Sequence, residues 1–128
     1  MPAYNFMKMR KPKILDGSKA QTIRRRRKHP TKPGQTLSLY TGMRTKSCEL
    51  IGRVPCAWVK PVVIYPKAML IKVNGSVLSI KNTAKLALAD GFSDIPSFFK
   101  FFERYERECL DDFEIVGWDP ALLEVNCE

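Results

Sequence analysis

At 128 residues, with 45% apolar and 27% charged side chains, the chain is sized for one globular domain, residues 1–128, whose core needs no disulfide or metal staple. No apolar run approaches the roughly 20 residues of a membrane span, and the N-terminus lacks the apolar stretch of a signal peptide, which points to a cytoplasmic protein, or a nuclear one in a eukaryote. The net charge of +9 is unevenly placed: through Lys60 there are 15 Lys and Arg against two acids, Asp16 and Glu49, and beyond it seven against eleven. So local a basic field draws polyanions, nucleic acid above all.

In chain order, an extended segment around Tyr4 to Met9 leads to a short helix with Pro12 in its first turn and Gly17 as its left-handed cap. Lys19 falls in the connection that follows. Gln21 to Arg26 reads as a strand, and His29-Pro30-Thr31-Lys32-Pro33-Gly34 as an exposed loop. Thr36 to Tyr40 alternates as a half-buried strand, and Thr41 to Lys46 is a loop. A long strand is expected from about Cys48 to Val59, with Pro55 marking an edge or a bulge. Three short strands follow, Val62 to Tyr65, Met69 to Val73 and Val77 to Ile80, the last two joined by an Asn74-Gly75 hairpin turn. Helix is expected over Thr83 to Ala89, and again after a cap at Ser93 or Asp94 with Pro96 in the first turn. Ile95, Phe98, Phe99, Phe102 and Tyr105 recur at helical spacing, an apolar stripe that belongs to the core rather than to a base-stacking platform. Phe113 to Trp118 returns as a final strand. The sum is an α+β fold, a small and mostly antiparallel barrel with flanking helices.

Cys48, Cys56, Cys109 and Cys127 include no Cys-x-x-Cys pair, and the single histidine, His29, sits in the basic loop, so neither zinc nor any other metal or cofactor is called for. Cys48 and Cys56 read as half-buried strand residues and Cys127 as a tail thiol in a reducing compartment. The chemistry concentrates instead between Ile14 and Arg27, where one lysine and one threonine lie beside four consecutive arginines.

Three blocks carry a resemblance: Ile14-Leu15-Asp16-Gly17-Ser18-Lys19-Ala20-Gln21-Thr22-Ile23-Arg24, then Lys32-Pro33-Gly34-Gln35-Thr36-Leu37, then Ala89-Asp90-Gly91-Phe92. Their order and their Gly-x-Lys-x-x-Thr-x-Arg core are similar to the ASCH domain family, whose fold is a β-barrel like that of PUA domains. The resemblance implies an RNA-linked role. Some small members of the family remove the acyl group from N4-acetylcytidine, and others have been described as ribonucleases. In the amidohydrolases a Lys and a Thr of the first block work with a Glu before the Gly-Phe-like step. By position these are Lys19, Thr22 and Asp90, the last one methylene shorter than the family's Glu.

Threonine is a poor nucleophile until its proton is removed, and a lysine can remove it if nearby cations or desolvation push its pKa down. In an amidase, Lys19 would take a proton from Thr22 or from a water that Thr22 positions, Asp90 would orient Lys19 or pass a proton to the leaving amine, and Arg24 would meet the oxyanion or hold a phosphate. In a ribonuclease, Lys19 would activate a ribose 2′-hydroxyl. In a purely binding module, Arg24, Arg25, Arg26 and Arg27, with Tyr40, Arg44 and Lys46 on a rim beside them, would hold single-stranded RNA by phosphate contacts and stacking. A protein-interaction module would instead place the basic face on an acidic partner.

Overall fold

The computed structural model describes residues 2–126. β1 (Ala3–Phe6) runs into a 3-10 turn (Lys8–Arg10) and the short helix α1 (Lys11–Leu15), with Pro12 in its first turn and Gly17 in the left-handed region at φ 85°. β2 (Gln21–Arg25) and β3 (Thr36–Thr41) follow at the expected places. The two strands expected on either side of Pro61 are one 17-residue strand, β4 (Glu49–Tyr65). Its first half pairs with β3, and from Cys56 onward, through a bulge between Cys56 and Trp58, it pairs with β7 (Leu110–Trp118). Pro55 thus marks where the long strand changes partner, which is how a strand this long tolerates a missing N–H.

β5 (Leu70–Val73) and β6 (Ser76–Val77) form the hairpin at Asn74-Gly75, where φ is 52° and 82°. The expected strand to Ile80 is corrected: the Ser79 hydroxyl accepts from the Asn82 N–H at 3.1 Å, and this cap turns the chain helical at Ile80, starting α2 (Ile80–Ala89) three residues before Thr83. Asp94 caps α3 (Ile95–Phe102), accepting from the Ser97 N–H at 2.8 Å. A two-residue strand, β8 (Glu124–Val125), without a recognisable signal in the sequence, pairs with β4.

Among the described residues every pairing is antiparallel except β1 with β3, giving a mixed, mostly antiparallel eight-stranded sheet with three helices. One core packs α2 and α3 on the sheet, with Phe98, Phe99 and Phe102 against Ile23, Ile64, Phe113 and Ile115. The other lies on the sheet's opposite face, with Phe6, Ile14, Leu37, Leu39, Ile51 and Val54 against Val116 and Trp118. β7 alternates between the two cores and is buried on both faces. The aromatic stripe is core as expected, except that Tyr105 is half-buried and turns toward a cavity.

Gly117 shows how tightly β7 is covered, since a Cβ there would stand 2.1 Å from the Trp58 ring. Gly117→Ala is expected to cost about 1–3 kcal/mol through overpacking, read as a lower urea midpoint with an unchanged m value. Among the cysteines, Cys56 is buried in β4, but Cys48 is exposed. It closes the turn before β4, its N–H bonded to the Thr45 carbonyl, rather than sitting half-buried in the strand. Cys127 lies outside the described residues. No helix among them is long and apolar enough to cross a membrane.

Among the described residues no backbone pairing joins β1 to β2, so the ladder does not close there. Side chains span this seam: Arg24 donates to the Asn5 carbonyl and Arg27 to the Ala3 carbonyl.

Candidate functional site

The candidate site is a cavity of about 450 Å³ between β1, β2 and the C-terminal end of α2. Lys19, Thr22, Arg24 and Asp90 all line it, so residues 71 positions apart meet in one place. Local structure explains each position. The Asp16 carboxylate accepts from the Ser18 N–H and hydroxyl at 2.8 and 2.6 Å, and the Lys19 N–H bonds the Lys13 carbonyl at 3.0 Å. The loop after α1 therefore delivers the Lys19 side chain inward. Thr22 and Arg24 share a face of β2 by strand alternation. Asp90 ends α2, its N–H bonded to Leu86 O at 3.0 Å.

Gly91, at φ 97°, lets the chains meet: a Cβ there would come within 3.2 Å of the Arg10 guanidinium and 3.4 Å of the Lys19 stem.

Lys19 is 3% and Asp90 6% exposed. Lys19 Nζ donates to the Asp90 carbonyl at 2.6 Å and faces the carboxylate Oδ1 at 3.5 Å. Lys13 at 3.0 Å and Arg10 donate to the Gly91 carbonyl, so three cations converge on the Asp90 and Gly91 carbonyls just past the C-terminal end of α2, where the helix dipole favours positive charge. Arg24 Nε donates to Thr22 Oγ1 at 2.9 Å, which leaves the threonine O–H free to point into the cavity.

Burial pushes the Lys19 ammonium below its ordinary pKa; Asp90 opposes that shift, while Arg10 and Arg24 reinforce it. Burial also lifts the Asp90 carboxyl, against the pull of Lys19, Arg24 and Arg10. Desolvation acts on both members in the same sense, toward the neutral form.

The sequence reading assigned no site role to the rest of the lining, having placed Tyr105 in the core stripe and quoted Phe92 only in the third block of the resemblance. Phe6, Phe92, Phe101 and Tyr105 give the cavity aromatic walls, and Arg10 and Arg104 give it two more cations. Arg10 stacks on Phe92 at 4.4 Å and Arg104 on Phe101 at 4.9 Å. Of the arginine run, Arg24 alone enters this cavity; Arg25 pairs with Asp112 at 3.3 Å, and Arg26 and Arg27 are exposed. Tyr40, Arg44 and Lys46 line neither this cavity nor its neighbour at the seam. Tyr40 is half-buried in β3, and Arg44 and Lys46 are exposed in the loop beyond it, which is tied to the site where the Met43 N–H bonds Asn5 Oδ1 at 2.9 Å. Among the described residues no three His, Cys, Asp or Glu side chains gather in a metal-binding group.

This arrangement sits on an ASCH-like fold. The structure is similar to that of ASCH from Zymomonas mobilis, with a TM-score of 0.54 at 13% identity, covering 98% of this chain and 72% of that one. A tyrosine-to-phenylalanine variant of the same protein matches with a TM-score of 0.53 at 12% identity, over 94% of this chain and 70% of that one. At such identities the likeness defines the fold alone. No family model matches the sequence, and no curated protein matches it.

Proposed function

We propose that the cavity takes one nucleotide unit of single-stranded RNA, or a modified nucleotide, and that the protein is a metal-independent hydrolase of the N4-acylcytidine amidohydrolase kind. In this reading the sheet is a PUA-like barrel whose open seam is the mouth for the ligand. The observation that carries it is the buried Lys19, its pKa lowered, sharing an aromatic, cation-rimmed cavity with Thr22 and Asp90.

The chemistry then runs on this chain's own groups. Neutral Lys19 takes a proton from a water that the Thr22 hydroxyl positions, and the water oxygen adds to the acyl carbon. Arg24, fixed by Thr22 and Asn5, stabilises the oxyanion that forms. The carbon–nitrogen bond breaks as the cytosine amino nitrogen receives a proton from the Lys19–Asp90 pair, leaving a carboxylic acid and the unmodified base. Phe6, Phe92 and Tyr105 offer surfaces on which the base can lie.

Mass spectrometry of a short RNA containing N4-acetylcytidine tests this. The expected result is loss of the acetyl group with an intact strand. A cut strand would assign the same residues to ribonuclease chemistry, and an unchanged substrate under conditions of proven RNA binding would assign the cavity to recognition without turnover.

A further inference from the structure

A second cavity, of about 360 Å³, adjoins the first and shares Asn5, Arg24 and Tyr105 with it. Arg25, Arg27 and Ala3 help to line it. The register of β1 decides what this space offers. Ser38 pairs with Ala3, and the Ser38 N–H donates to the Pro2 carbonyl at 2.9 Å. In a parallel ladder the backbone groups of Tyr4 and Phe6 then also face β3, and those of Ala3 and Asn5 face the seam. Both seam-facing carbonyls are occupied, Asn5 O by Arg24 and Ala3 O by Arg27. Among the described residues, what remains on this edge is the N–H donors of Ala3 and Asn5, beside guanidinium groups that each have further donors to spend.

An added peptide strand needs acceptors as well as donors, and here it would compete with Arg24 and Arg27 for the two carbonyls. An anion with several oxygens matches an edge that only donates. We infer that the seam is a phosphate-binding lane, and that the cleft beside it therefore takes a nucleotide held by its own phosphate rather than a free nucleoside. Arg24 couples the two, with Nε on Thr22 in the cleft and its terminal nitrogen at the seam. This rests on the nucleotide reading of the cleft given above.

Calorimetric titration with cytidine, cytidine 5′-monophosphate and cytidine 3′-monophosphate tests it, on the wild type, Ala3→Pro and Arg27→Gln. Proline at position 3 removes one seam-facing N–H and leaves the ladder to β3 untouched, the setting in which an edge strand accepts proline. One monophosphate is expected to bind at least about tenfold tighter than cytidine, as charge-assisted hydrogen bonds of this kind allow, and each variant is expected to shrink that gap to about threefold without weakening cytidine. Arg27→Gln carries the test alone if the thermal melt shows Ala3→Pro unfolded. Cytidine and both monophosphates binding equally well, or a gap that survives Arg27→Gln, overturns the lane and leaves the cleft reading standing. Failure of all three to bind overturns both.

Discussion

Lys19→Met is expected to lower kcat/KM for deacylation by about 10²–10⁴-fold, the range a positioned general base supplies. Methionine preserves most of the buried stem length, and Asp90, whose pKa burial already lifts, can shed its charge by protonation, so the fold is expected to survive the loss of its partner. The pH profile distinguishes a base from a merely structural lysine. Only the neutral amine accepts a proton, so kcat/KM should rise with pH through the pKa of Lys19, which lies below its ordinary 10.5. Asp90 raises that pKa and Arg10 lowers it. Asp90→Asn should therefore move the rising limb to lower pH, and Arg10→Gln to higher pH. Midpoints that stay fixed in both variants would remove Lys19 from the role of base.

The same pair shapes stability. Between the lowered pKa of Lys19 and 10.5 the unfolded chain holds the lysine proton and the folded chain does not, so this group's contribution to stability rises with pH across that window. Asp90 acts in the opposite sense: from 3.8 up to its raised pKa the folded chain holds the extra proton, and stability falls as pH rises.

Phe98→Ala is expected to cost about 3–5 kcal/mol, the range for removing a fully buried aromatic ring. Phe98 lies edge-on to Phe92, Phe99 and Phe102, with ring centroids 5.5, 5.1 and 5.2 Å away, and 0% of it is exposed. Phe92 also walls the cavity and carries the Arg10 stack, so the hole behind it should loosen the site as well as the core. The urea midpoint measures the first effect. A rise in KM larger than any fall in kcat measures the second; a variant with wild-type stability would contradict the packing described.

How much of this was legible in the sequence depended on how local each signal was. The α1 turn, the β2 strand and the Asp94 cap depend on neighbouring residues and were readable from them. Thr22 and Arg24 sharing a face follows from a period of two. Asp90 reached the site only through resemblance, because nothing in a lone Asp-Gly step says which distant lysine it will meet. Arg10 went unnoticed because it lies just ahead of the motif among several exposed bases, and its value comes from Phe92 and the Gly91 carbonyl, both far along the chain. The joined β4 was not foreseen, because the expected strands stop at Val59 and resume at Val62, whereas Pro55, expected to mark an edge or a bulge, lies where the strand changes partner. Ile80 was assigned to a strand for its apolar side chain, yet it is 82% exposed, the Ser79 cap having outweighed strand propensity. The seam could not be foreseen at all, since strand edges are set by which pairings fail to form.

Amide chemical shifts of the labelled protein, followed while cytidine monophosphate is added, test most directly whether the cleft and its seam form the ligand site. The account predicts that the largest changes fall on Asn5, Thr22, Arg24, Gly91 and Phe92. Changes confined to the 42–48 loop or to the far side of the sheet, with those five amides unmoved, would contradict it.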